Sequence, residues 1–149
     1  MSDQITQIAT NLRAALEQAQ SAEVSIPWLS RFPKNCCNFT SNLLLLELAG
    51  NVAGPLRRLM GTVCDIKGDE IGNHVWVQAD NHVIDIAGDE FGLPPVVVSD
   101  SSDWHASLQD VKPFIERIDL PNGIPDAQLE RLRDLYTDVQ ELIAPFRTA

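Results

Sequence analysis

Apolar residues recur at helical spacing across residues 3 to 20, where Ile5, Ile8, Leu12, Ala15, Leu16 and Ala19 fall on one face. Asp3 is the predicted N-cap of this helix. Pro27 and Pro33 interrupt the stretch from Ser25 to Asn35, which reads as an irregular connector carrying Trp28, Leu29 and Phe32 toward the core. A second helix is predicted from Cys37 to Ala49. Pro33 and Asn35, breaker and cap types, precede it, and Gly50 follows as its C-cap. Leu43 to Leu46 make it apolar on nearly all sides, the mark of a helix central to its domain.

The second half of the chain changes period. Residues 50 to 60 fit neither template, and Gly54-Pro55 argues for a break. Val63 to Ile66 reads as a strand, and "GDEIGN" (68 to 73) as a turn-rich connector. In "HVWVQADNHVIDIAGDEFG" (74 to 92), apolar residues alternate on both sides of Asp80-Asn81, which predicts a β-hairpin. Residues 94 to 100 offer a third strand, and 101 to 123 are mostly loop with a strand at Phe114 to Ile118. From Ile124 to Ile143 a last amphipathic helix presents Ile124, Leu129, Leu132, Leu135, Tyr136, Val139 and Leu142 on one face. Helices flanking a small antiparallel sheet define an α+β fold.

At 149 residues the chain fits a single domain over its whole length. Its net charge of −10 leaves no basic stripe to displace the counterions of a polyanion, so neither nucleic acid nor an anionic membrane is an expected partner. Three cysteines, two of them adjacent, do not make a disulfide framework. The N-terminus lacks a basic region followed by an apolar stretch, and no apolar run is long enough to span a bilayer. The expected setting is the reducing cytoplasm, with signal-less export also compatible.

The hairpin's parity carries chemistry. With Asp80-Asn81 as a two-residue turn, Ala79 pairs with His82 and Trp76 with Asp85. His74, Trp76, Val83 and Asp85 then share one face. His74 and Asp85 become diagonal neighbours about 5.5–8 Å apart, close enough for a carboxylate to fix the imidazole tautomer. His82 at the turn and His105 in a Ser/Asp-rich loop read as surface or satisfied core histidines with no chemical role. A thiol at a helix N-terminus lies at the positive end of the helix dipole, near unpaired N–H groups that favour a thiolate and can hold an oxyanion. Cys37, His74 and Asp85 thus supply a nucleophile, a base and an orienting group.

Three segments together resemble the papain-like and transglutaminase-like superfamily of cysteine enzymes. "FPKNCCNFTSNLLLLEL" resembles the nucleophile segment opening the central helix, and "HVWV" the strand bearing the catalytic histidine. "NHVIDIAGDEF" resembles the next strand, whose Asp orients that histidine. The resemblance covers roughly residues 30 to 100. It implies a central helix packed on the sheet and a Cys37–His74–Asp85 triad, and Cys37 is preferred to Cys36 because Ser41 follows it by four positions. Asn38 departs from the small residue that the family places after its cysteine, and no Gln stands upstream to complete the oxyanion site. Asn35 is the substitute considered, and Trp76 either walls the site or is a packed hairpin aromatic.

The implied activity is that of a thiol hydrolase or acyltransferase acting without a cofactor on a peptide, a protein side-chain amide or a small amide, through a thioester. Residues 99 to 112 form the expected substrate rim. Two rivals remain. One is a metal site from Cys36, Cys37, Cys64, His74 and Asp85, which lacks the usual ligand spacings. The other is a non-catalytic binding, adaptor or immunity-type protein with a vestigial triad.

Overall fold

The computed structural model describes residues 2–52, 55–113 and 126–147. Helix α1 (Ser2–Ser21) buries Ile5, Leu12, Ala15, Leu16 and Ala19 of its predicted stripe, each at most 1% exposed, together with Ala9, while Ile8 is only partly buried against the core. Asp3 lies inside its first turn rather than capping it. The connector turns through a short 3-10 segment (Leu29–Arg31) and seats Trp28, Leu29 and Phe32 in the core, as their apolar character requires.

Helix α2 (Cys37–Ala49) has Gly50 as its C-cap. Its N-cap is Cys36 and not the expected Asn35. Asn35 occupies the turn before it with φ at 53°, a left-handed conformation that Asn tolerates better than most residues. Leu43, Leu44, Leu45, Leu46 and Leu48 are all buried. α1 packs beside the helix, and two strands of the sheet and the C-terminal helix contact it as well, which is why no polar face is needed.

The sheet is five-stranded and antiparallel throughout, in the order β4-β3-β2-β1-β5. Its members are β1 (Leu56–Cys64), β2 (Glu70–Ala79), β3 (His82–Asp85), β4 (Val97–Ser99) and β5 (Gln109–Pro113). β1 starts well before the expected Val63. Arg57 and Arg58 conceal its alternation in the sequence, although Arg58 is only 1% exposed and its Nη1 donates to Asn38 Oδ1 at 3.0 Å. β2 also starts early, at Glu70, because the turn comes sooner than expected. Asp65 Oδ1 accepts the backbone N–H groups of Lys67 and Asp69, both at 2.9 Å, and leaves Ile66 exposed at the tip.

The β2–β3 hairpin has the register read from the sequence, with Val77 opposite Ile84, Gln78 opposite Val83 and Ala79 opposite His82. Asp80 takes φ of 54°, the positive value that a tight hairpin turn demands. The segment read as loop beyond β4 instead holds a single helical turn, α3 (Asp103–Ala106), and then β5. The expected strand at Phe114 to Ile118 lies outside the described residues, as does Ile124.

The final helix, α4 (Asp126–Ile143), buries Leu132 and Ile143 and packs Leu129, Tyr136 and Val139 against the core. Leu135 and Leu142, assigned to that face from the sequence, are 65% and 42% exposed. The packed stripe runs through 132, 136, 139 and 143, and the two leucines lie on its flank. Among the described residues no helix is long and apolar enough to cross a membrane.

Candidate active site

The chain following β3 ties the site together. Asp85 is the last residue of β3, and a 3-10 turn (Gly88–Phe91) comes directly after it. Each of three consecutive residues in that turn reaches a different element. Asp89 accepts both Nη groups of Arg13 from α1 at 2.8 Å, and Arg13 Nη1 also donates to Ile86 O at 2.8 Å. Glu90 Oε2 accepts the backbone N–H of Asn35 at 3.3 Å, which anchors the approach to α2. The Phe91 ring meets the His74 ring edge-on, with centroids 5.3 Å apart. Arg13 in turn stacks its guanidinium 4.5 Å from the Phe32 ring, ahead of the cysteines.

The two adjacent cysteines have different environments. Cys36 is fully buried, and its single S–H is shared between the carbonyls of Lys34 (3.1 Å) and Trp28 (3.3 Å). Burial pushes its thiol up to about 11, so it is a neutral packing residue whose two contacts fix the loop before α2. Cys37 is the first residue of α2 and is half-buried. Its N-cap neighbour offers the helix no side-chain acceptor, so the first-turn N–H groups are not capped from Cys36.

His74, in β2, is wholly buried, and its Nε2–H donates to Asp85 Oδ2 at 2.6 Å. The other ring nitrogen, Nδ1, is buried without a hydrogen-bond partner. Burial by itself disfavours the imidazolium. The hydrogen bond to Asp85, with the nearby Cys37 and the charges of both groups, outweighs it and lifts His74 to about 9. With Nε2 held by Asp85, Nδ1 is the ring nitrogen left over, and no hydrogen bond joins it to Cys37. Around the ring stand Phe91, Trp104 (5.6 Å, edge-on) and Trp76 (6.1 Å, stacked). Trp76 is 2% exposed, a packed hairpin aromatic.

Asp85 serves two histidines at once. Besides His74, its Oδ2 accepts from His105 Nε2 at 2.7 Å, and its Oδ1 accepts from the Ala87 N–H at 3.0 Å. Burial opposes the carboxylate, but the bonds from His105 and His74 prevail and hold the carboxyl well below the usual range. Gly88 lets the chain turn beneath this oxygen, since a Cβ there would stand 3.0 Å from Asp85 Oδ2.

His105, given no role from the sequence, is 3% exposed and belongs to this cluster. Its Nδ1 lies 2.6 Å from Ser102 Oγ, and Ser102 caps α3 by accepting the His105 backbone N–H at 3.4 Å. The visible trace of it is Ser102 three positions before His105, a cap spacing in a segment too short for periodicity to register. Its position follows from β4, which pairs with β3 through Val97↔Asp85 and Val83↔Ser99 and so returns the chain beside the carboxylate.

The metal site weighed from the sequence is not assembled: Cys64 ends β1 opposite Glu70, well along the strand from Gly61, the partner of His74. The metal-competent cluster is instead His74, Asp85 and His105, whose ligand atoms all lie within 4.8 Å of one another. Two ligands around a tetrahedral zinc stand about 3.3 Å apart. Both nitrogens here lie at 2.6 and 2.7 Å from a single oxygen, separations suited to a bridging proton. A comparison with protein-family models, curated proteins and solved structures returns no match.

Proposed function

We propose that the protein is a papain-like or transglutaminase-like cysteine enzyme that breaks an amide or peptide bond through a thioester, with Cys37 as nucleophile, His74 as base and acid, and Asp85 orienting His74. The observation that carries this reading is the state of His74. It is a buried imidazole with one nitrogen on a carboxylate and the other lacking any hydrogen-bond partner, raised to about 9 with Cys37 among the causes. An imidazolium N–H left unmatched in such a place costs about 1–3 kcal/mol, and a thiolate is the acceptor that relieves it.

In the proposed reaction the Cys37 sulfur forms a bond to the substrate carbonyl carbon, and the carbonyl electrons move to oxygen. The N–H groups of the first turn of α2 are the candidate donors to that oxyanion. The oxyanion collapses, the C–N bond breaks, and His74 Nδ1 passes its proton to the departing amine. Water, or a second amine, then gives a proton to Nδ1 as it attacks the thioester, which releases the acyl group and restores the imidazolium–thiolate pair. A reducing compartment such as the cytoplasm suits this chemistry, and all three cysteines are free.

Iodoacetamide at pH 6, followed by peptide mass spectrometry, tests the reading. Cys37 is expected to label at least about tenfold faster than the half-buried Cys64, and His74→Ala to remove that advantage. Equal, slow labelling of the two would sink the enzyme reading and favour a non-catalytic binding protein. Given a positive result, peptide, side-chain amide and isopeptide libraries would identify the substrate class.

A further inference from the structure

We propose that His105, fixed by Ser102, is a positioning residue that holds Asp85 in the orientation His74 requires; this rests on the reading of Cys37 and His74 given above. Asp85 Oδ2 receives two imidazole N–H groups, from His74 at 2.6 Å and from His105 at 2.7 Å. A carboxylate bonded to His74 alone could rotate about its side-chain torsion and carry the imidazole with it. With Oδ2 bonded to two rings and Oδ1 to the Ala87 N–H, that rotation breaks at least two hydrogen bonds.

The tautomer of His105 is fixed from behind. A carboxylate oxygen only accepts, so the His105 proton resides on Nε2. In the neutral ring Nδ1 is then an acceptor, and the Ser102 hydroxyl at 2.6 Å supplies its proton. The Ser102 oxygen in turn accepts the His105 backbone N–H, so one short helical turn holds hydroxyl and imidazole in register. The His105 ring is confined between Trp76 (centroids 4.8 Å apart) and Trp104 (4.9 Å). Donor and acceptor roles run without conflict from Ser102 through His105 to Asp85 and back to His74.

The test compares Cys37 alkylation by iodoacetamide at pH 6 in wild type, His74→Gln, His105→Leu, His105→Gln and Ser102→Ala. Urea unfolding follows stability, and proton NMR follows the His74 ring N–H. His105→Leu is expected to slow labelling about tenfold, the scale of one hydrogen bond to a charged group, and to move the ring-proton signal. His105→Gln, whose amide can donate to Asp85, is expected to recover most of the rate. Ser102→Ala, a small deletion at a partly exposed position, is expected to slow it about twofold or more with the fold intact.

Wild-type labelling and an unmoved ring-proton signal in His105→Leu would overturn the inference. So would a lowered urea midpoint with both readouts unchanged, which is the signature of a merely structural residue. If His105→Leu does not fold, the same two readouts in Ser102→Ala decide. The two levels of failure are separable. Wild-type labelling in His74→Gln overturns the reading of the site itself, whereas slow His74→Gln with fast His105→Leu overturns only the role of His105.

Discussion

His74 Nε2 and Asp85 Oδ2 lie 2.6 Å apart in a region where both side chains are at most 1% exposed. An ion pair so enclosed links folding to pH with a definite sign. His74 is raised from 6.5 to about 9, so its contribution is complete below about 6.5 and is lost as pH climbs through about 9. The shift corresponds to about 3 kcal/mol. Asp85 is lowered, so its contribution is complete above the ordinary value of 3.8 and is lost as pH falls through its folded value. Both are therefore complete only between roughly pH 4 and 6.5. Urea midpoints for wild type and His74→Gln should converge between pH 6 and pH 9.5. A constant difference across that range would show that the imidazole is not charged in the folded state.

Adjacent thiols make a direct comparison possible. Cys36 is buried on two carbonyls and pushed up to about 11, whereas Cys37 is half-buried beside His74. Cys36→Ala should cost about 1–3 kcal/mol by taking the S–H away from the Lys34 carbonyl, while Trp28 O keeps the Arg31 N–H at 3.3 Å, with rapid labelling of Cys37 retained. Cys37→Ala should abolish the rapid label and cost about 1–3 kcal/mol by leaving the His74 imidazolium N–H without its acceptor. Rapid labelling of Cys36 in the Cys37→Ala protein would contradict this division of roles.

Arg13 is expected to matter to the site from α1. It grips Asp89 through both Nη groups, and the same turn carries Glu90 to Asn35 and Phe91 to His74. Lysine keeps the charge but loses the planar fork, so Arg13→Lys is not conservative here. A loss of about 1.5–3 kcal/mol in urea unfolding is expected, with slower Cys37 labelling under conditions where the protein remains folded. Loss of stability with an unchanged labelling rate would separate the turn from the site.

The elements legible in the sequence are those in which the side-chain period reports burial directly. α1 shows its stripe, α2 its all-round leucines, and the hairpin its two-residue turn, which sets the parity that joins His74 to Asp85. β1 was hidden because the inward position 58 holds an arginine, which reads as solvent-facing until Asn38 is found bonded to it. The start of β2 was missed because Asp65 closes its turn through its own side chain, a contact no periodicity encodes. The burial of His105 is hidden for a different reason. Its burial depends on β4 pairing with β3, a tertiary event that makes a polar loop segment cover a carboxylate. Cys36 and Cys37 are equivalent as letters, and only their placement at the helix entrance separates a carbonyl-bound thiol from one beside an imidazole.

Gly88 provides the narrowest test of whether the position of Asp85 matters beyond its presence. A Cβ at residue 88 would meet Asp85 Oδ2 at 3.0 Å and Leu93 Cδ1 at 2.7 Å. The leucine end can swing aside. The carboxylate oxygen cannot move without lengthening its bonds to His74 and His105, both already short. Gly88→Ala should therefore cost about 1–3 kcal/mol as an overpacking change. It should also slow Cys37 alkylation at pH 6 by severalfold, although no titratable group has been altered. Gly92 lies in the same turn with φ of 88° and has open space around its Cβ position, so Gly92→Ala strains the backbone without touching the carboxylate. A slowed Gly88→Ala beside a Gly92→Ala that labels normally would tie reactivity to the Asp85 oxygen. Equal effects in the two variants would assign the loss to a loosened turn.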